Sequence, residues 1–558
     1  MEINIVSESY KASSLNHSAS NAAITELTVM QNSVAAFQVM LHDDHTKWIN
    51  IGTNYRFGPD LSTPVYRVRV ESQLDVNVNL VDYYQDNHAV AYADKIVEDE
   101  FLSYPGPLDA PVLITIPTTG LEVGERSVNI QVYSGLPGQA ETLVDDRQLV
   151  IHVVANPIKA DQANLHVDIW QQPANLAKQF KVGLWSEAHF QLIDQMAAML
   201  AEIGQDAVTL IVSDDPWKGW GASFIKSKPA DLYETNTVDV RKVDGKVVTD
   251  FTTVQRYLDT FARHGIDTEY DMFGLLGLWD LPFYTAVPKS DYPEKIVIRY
   301  YDENASVYGF LDDDADIRAY VGQVLQYFIE HGLWHKVRIM ADEPKAADLE
   351  RFKASCAILQ AQVGAEVRLP LKVAFNNLEV LEALRDVVDY PVTSLYATTQ
   401  TMDGTEHPQQ EYYVCNMPNR PNSFLASPLG ETRLLGALAS ELKVGGMLRW
   451  AFNCWASDAQ HDINYNPNFF PVGDMGLAYP LENGRLGSSL RLLALARAYE
   501  DYALLARVDS ATRQVALASL FNNHDIASWM VDERTTADGI FSSDDDAFAK
   551  FRNILLAH

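Results

Sequence analysis

Up to about Ala155 the apolar positions recur at every second residue. Val65, Val68 and Val70 are interleaved with Arg67 and Arg69, and Val76, Val78 and Leu80 alternate with Asp75, Asn77 and Asn79. Val128, Ile130 and Val132 repeat the pattern further on. A period of two, punctuated by Pro and Gly, predicts half-buried antiparallel strands, hence a β-sandwich over residues 1–157. The polar stretch ANPIKADQAN (155–164) reads as the boundary.

Beyond it the period changes. Short apolar runs alternate with stretches whose apolar residues fall at helical spacing, as Phe190, Ile193, Met196, Met199 and Leu200 do within 186–204. The runs are LHVDIW (165–170), AVTLIVS (207–213), EYDMFGLL (269–276), VRIMADEP (337–344), KVAFNN (372–377), YPVTSLYA (390–397), EYYVCN (411–416) and GMLRWAFNCW (446–455). Helices are expected near 251–264, 315–332, 346–363, 378–388, 431–443 and 488–505. Only YPVTSLYA is followed by a polar stretch without a helical pattern. Eight strand–helix units favour a parallel (β/α)8 TIM-type barrel over residues 158–506. An open doubly wound sheet would need a phosphate-binding glycine motif or another switch-point signature, and none is present. Residues 507–558 are expected to be a C-terminal appendage packed on the barrel. The predicted fold is thus multidomain, α/β plus β.

Composition narrows the partners. The 558 residues carry a formal net charge of −32. Such a surface repels phosphate backbones and acidic lipid, so neither nucleic acid nor membrane is an expected partner. A neutral carbohydrate is indifferent to it. The N-terminus MEINIVSESYKASS lacks a basic head and an apolar core, so a cytoplasmic location is expected. The three cysteines, Cys356, Cys415 and Cys454, show no Cys-x-x-Cys spacing, and no His-Glu-x-x-His motif occurs. His331 and His335 flank a helix end, which suits capping better than metal binding. No metal or organic cofactor is expected.

The chemistry gathers at Asp342-Glu343, two adjacent carboxylates closing the fourth predicted strand before Pro344. Helix entry alone accounts for many such pairs. Their register, however, sets them on the C-terminal rim of a barrel, where active sites sit. A glycosidase with a protein nucleophile needs two carboxyls flanking the scissile bond. Neighbouring Cα atoms are about 3.8 Å apart and approach from one side. That arrangement suits substrate assistance, in which one acid protonates the leaving oxygen while the other orients a 2-acetamido group acting as nucleophile. Repulsion from Asp342 is expected to help keep Glu343 protonated.

VDIWQQPANLA (167–177), ADEP (341–344), YYVCNMPNRPNSFLASP (412–428) and GGMLRWAFNCW (445–455) come in order. They are followed by GD (473–474), YP (479–480), SLR (489–491) and EDYALL (500–505). This set resembles glycoside hydrolase family 123, in which a β-sandwich usually precedes the barrel. The resemblance implies a retaining β-N-acetylgalactosaminidase acting on terminal sugars through an oxazoline. Asp342 would stabilise the acetamido group and Glu343 would be the general acid/base. Two positions depart from the pattern: Ala498 stands where a glycine is common, and Gly436 lies near the place of a frequent tryptophan.

Other rim residues are candidate sugar contacts. Trp450, Asn453 and Trp455 lie on or just beyond the last strand, and residues two apart share a face, so Trp455 with Asn453 is favoured over Trp450. Tyr396, at the end of the sixth strand, could donate to the acetamido oxygen, and Asn376 and Asn377 end the fifth. Tyr413, Tyr412, Asp474, Trp279 and Asp280 complete the set. Core packing competes with function for each aromatic. The alternatives are a glycosidase for another sugar and a carbohydrate-binding pseudoenzyme.

Overall fold

The structure is a computed structural model. It describes all residues except 17–18, 20–21, 55, 160–163, 215, 217–233, 277–295, 403, 417, 456–458, 460–469 and 524–538. Trp279 and Asp280 therefore lie outside the described residues.

The N-terminal region is rich in sheet. A five-stranded sheet has the order Glu2–Ser7, Val34–His42, Ala110–Pro117, Asn77–Gln85, Ala91–Val97. A six-stranded sheet runs Glu26–Met30, Thr142–Val154, Gly124–Gly135, Val65–Glu71, Lys47–Asn50, Phe101–Tyr104. The alternation read from the sequence survives: Val128, Ile130 and Val132 are buried, while Asn129 and Gln131 between them are not. They join Phe37, Val39 and Ile114 of the other sheet in one apolar cluster.

Eight parallel strands follow, and they form a nearly closed barrel. In chain order these are His166–Ile169, Ala207–Ile211, Glu269–Phe273, Val337–Asp342, Leu371–Phe375, Tyr390–Ser394, His407–Tyr413 and Val444–Arg449. The seam between the first and second strands is closed chiefly by side chains. Ile169 N–H donates to Gln205 Oε1 (3.0 Å), Gln205 Nε2 donates to Ala207 O (2.6 Å), and Thr209 N–H donates to Gln171 Oε1 (2.7 Å). Helices pack outside, among them Glu187–Ala201, Thr252–Ala262, Asp314–Glu330, Leu349–Val363, Leu378–Leu384, Leu429–Leu442 and Leu490–Arg507.

One expectation needs correction. The sixth strand is followed by a helix, Leu395–Thr401, whose N-cap Ser394 accepts from Ala397 N–H. Thr398, Thr399 and Thr401 are β-branched and weaken the helical signal, but hydroxyl bonds back to carbonyls satisfy them, as from Thr398 to Ser394 O (2.9 Å). Tyr396 consequently sits in the first turn of a helix and not at a strand end.

The barrel interior is also more polar than its apolar runs suggested. Lys372 is fully buried, with Asp168, Glu269 and Glu411 each 2.7 Å from its ammonium and Asp271 at 3.3 Å. His166 adds contacts to Glu269 and Glu411 at 3.5 and 3.6 Å. Among the described residues, the two groups of carboxylate and imidazole atoms near enough to share a metal ion both belong to this network, and the Lys372 ammonium is its central cation. The acids of the network divide: burial and the neighbouring Asp168 push Asp271 well up and burial raises Glu411 to about 7, whereas at Glu269 burial is overcome by Lys372 and His166, which hold it well below the usual carboxylate range.

The N-terminal sheets and the C-terminal helix Asp545–Leu556 both touch the barrel. Arg491 donates to Asp94 (2.8 Å), Arg497 to Glu8 (2.8 Å) and Arg552 to Asp501 (2.6 Å). Among the described residues no helix is long and apolar enough to cross a membrane.

Candidate active site

The acid pair lies where the fourth strand leaves the barrel. Asp342 is its last residue, in register with Ala374 on the fifth strand. Glu343 N–H still donates to Ala374 O at 3.0 Å, yet its φ is +44°. Consecutive residues of a regular strand point to opposite faces. The left-handed backbone at Glu343, unfavourable for a residue with a Cβ, breaks that alternation, and both acids line one pocket. Pro344 lies immediately beyond the kink.

Both carboxylate oxygens of Glu343 are held. Tyr413, the last residue of the seventh strand, donates its hydroxyl to Oε1 at 2.5 Å, and Asn376, just past the fifth, donates Nδ2–H to Oε2 at 2.7 Å. Burial raises the proton affinity of Glu343, and the Tyr413 hydroxyl works against it. Burial, not repulsion from Asp342, is thus the leading cause of the shift anticipated from the sequence. The Tyr413 hydroxyl is itself pushed well above its ordinary range by burial and then by the charge of Glu343.

The remaining wall is aromatic and acidic. Trp170, just beyond the first strand, is buried, with its indole edge-to-face on Phe273 at 4.9 Å. Trp450, one residue past the eighth strand, lines the pocket beside Phe470. Its Nε1–H donates to Asp474 Oδ2 (3.2 Å), and the other Asp474 oxygen accepts from Arg449 Nη2 (3.0 Å). Burial raises Asp474, and Arg449 opposes the rise. Cys415 and Asn416 complete the side above Tyr413. Among the described residues no Lys, Arg or His lines the pocket.

The candidates therefore separate. Asp342, Glu343, Tyr413, Trp450 and Asp474 converge on one pocket, and Asn376 reaches it through Glu343. Asn377 is instead the N-cap of the helix Leu378–Leu384. The order of preference between the tryptophans is reversed, because Trp455 is 1% exposed and donates its Nε1–H to Ala478 O (3.0 Å) within the core. Asn453 is fully buried and ties the loops after the first and eighth strands together. Its Oδ1 accepts from Gln172 N–H (3.0 Å) and its Nδ2–H donates to Gln172 O (2.9 Å). Tyr396, 39% exposed, is not among the residues lining the pocket. Tyr412 is buried against Leu435 O (2.6 Å). His331 and His335 each contact a carbonyl one helical turn or less behind them. Sequence reasoning passed over Trp170 and Phe470. Trp170 stands at the rim end of the first strand, so the position that singled out Asp342 could have found it.

A parallel barrel that brings adjacent carboxyls and indoles into one rim pocket, with no Lys, Arg or His among its described lining residues, suits an uncharged sugar. The sequence profile described as glycoside hydrolase 123, catalytic domain, matches residues 170–508. The chain belongs to glycoside hydrolase family 123, and it is a glycoside hydrolase with a carbohydrate substrate. Among solved structures it is similar to a family 123 glycoside hydrolase from Clostridium perfringens, described for glycolipid glycan hydrolysis. That similarity has 15% identity and a TM-score of 0.70, covering 100% of this chain and 97% of the other. A Parabacteroides merdae β-glucuronidase aligns at 10% identity and a TM-score of 0.28 over 90% of this chain and 52% of the other. That last likeness is too distant to carry an argument. No curated protein sequence matches the chain.

Proposed function

We propose that this enzyme is a retaining glycosidase that removes terminal β-linked N-acetylhexosamine, with N-acetylgalactosamine preferred, by substrate-assisted catalysis. The N-terminal sheets are read as a β-sandwich (1–157), the barrel as a (β/α)8 catalytic domain (158–506) and residues 507–558 as an appendage on it. Glycolipid glycans, the substrates of the Clostridium relative, are the substrate class favoured.

The observation that carries the reading is that Asp342 and Glu343 face one pocket from consecutive positions. The third acid of the pocket, Asp474, has its oxygens engaged by Arg449 and Trp450, which disfavours it as a protein nucleophile. Glu343, whose hold on a proton burial strengthens, gives its proton to the glycosidic oxygen. The acetamido oxygen attacks the anomeric carbon as the aglycone leaves, and Asp342 accepts the acetamido N–H and stabilises the positive oxazolinium. Glu343, now ionised, deprotonates the incoming water, which opens the ring with net retention. Trp450 offers a face to the apolar side of the pyranose.

A leaving-group series tests the roles. Glu343→Gln should lose on the order of 10²-fold or more in kcat/KM on natural glycosides while sparing aryl glycosides of acidic phenols, which depart without a proton. Asp342→Asn should damage both classes, because the acetamido group needs orientation whatever leaves. Equal effects of both variants across the whole series would contradict the assignment.

A further inference from the structure

Glu343 must serve two opposite states in one turnover, holding a proton before the bond breaks and releasing it afterwards. Its surroundings are built asymmetrically for this. Tyr413, 8% exposed, donates to Oε1 from beneath, and the exposed Asn376 donates to Oε2 from the rim. Each oxygen has two lone-pair positions, so a proton can sit beside either donor. Oε2, bonded to the exposed Asn376, is therefore assigned as the oxygen that would meet substrate.

The geometry points to Tyr413 and Asn376 as positioning residues of Glu343 rather than sugar contacts, with Tyr413 holding the acid's proton affinity low enough to release and recapture a proton in each cycle. This rests on the general acid/base reading of Glu343. Burial alone would make Glu343 a poor proton donor in the first half-reaction and let solvent reprotonate it before it could act as base in the second. A hydrogen bond to the ionised carboxylate counters that. The other titratable groups lining the pocket are Asp342 on the same strand, Cys415 beyond the seventh strand and Asp474 after the eighth. All are acids, and among the described residues no cation lines the pocket to do this work instead. The phenol can do so because its own proton is held tightly by burial.

The test is a carboxyl titration combined with a pH–rate profile. Infrared difference spectra of wild type minus Glu343→Gln isolate the Glu343 band, and the same subtraction is made in a Tyr413→Phe background. A charge-assisted hydrogen bond of ~1.5–3 kcal/mol corresponds to an upward shift of about one to two pH units on its removal. The alkaline limb of kcat/KM should move up with it, and kcat at neutral pH should fall as Glu343 becomes a weaker donor and less of it stays ionised in the intermediate. Asn376→Leu should shift the titration in the same direction but less, since water replaces its exposed donor. An unchanged titration in folded Tyr413→Phe would overturn the inference, as would a downward shift. A shifted titration with no hydrolysis of any glycoside by wild type would leave this role of Tyr413 standing and sink the glycosidase mechanism instead.

Discussion

At the scale of single residues, the two tryptophans near the end of the eighth strand make opposite predictions. Trp450 lines the acid pocket, whereas Trp455 is core. Trp450→Ala should raise KM for glycosides by roughly tenfold or more, the loss of ~1–3 kcal/mol of stacking, and leave the melting temperature within a few degrees. Trp455→Ala should instead cost ~3–5 kcal/mol of stability, seen as a large fall in melting temperature. Parallel KM and thermal-melt measurements check this, and a reversed pattern would contradict the pocket described here. The sequence reading chose the other tryptophan because it extended strand alternation past Arg449, where the strand ends and the rule lapses. Asp474 stood out only through its Gly-Asp motif and Tyr413 only as one candidate among several, whereas position on the rim was legible for Asp342 and Glu343. The turn at Glu343 that brings both acids to one side was not, because a positive φ at a non-glycine residue has no compositional signature.

At the scale of elements, most barrel strands and helices were readable from period and apolar content. The helix Leu395–Thr401 was missed because its threonines look like strand or loop, and hydroxyl bonds within the turn rescued them. The Lys372 network escaped because acids on different strands meet only once the barrel closes. The two departures from the family pattern, Gly436 and Ala498, meet in space. They face each other between the helices Leu429–Leu442 and Leu490–Arg507, where a Cβ added to Gly436 would collide with the backbone carbonyl of Ala498. Helix propensity alone favours Gly436→Ala by about 1 kcal/mol. The contact should win, because backbone cannot move aside as a side chain can, and the variant should lose ~1–3 kcal/mol. Thermal melts of the purified variant check the sign. An increased melting temperature would show that the helices can part freely.

At the scale of the whole molecule, the buried ion pairs explain why the barrel and its neighbours are joined. Arg491 reaches Asp94 of the N-terminal sheets with both groups buried, Arg497 of the same long helix reaches Glu8, and Arg552 of the C-terminal helix reaches Glu500 and Asp501 on that long helix. The acid pocket lies apart from these pairs, its lining drawn from the strand ends at the rim. A net charge of −32 and a pocket lined by acids, with no described cation among its lining residues, both favour a neutral sugar over an anionic one. The central claim is that this neutral sugar supplies its own nucleophile. The direct measurement is kcat/KM of the wild-type enzyme on paired aryl β-glycosides that differ only in carrying a 2-acetamido or a 2-hydroxy group, with a thiazoline mimic of the oxazoline as inhibitor. The account predicts that the 2-acetamido sugar is preferred by on the order of 10³-fold or more and that the thiazoline competes with it. Comparable turnover of the 2-hydroxy sugar without thiazoline inhibition would contradict it.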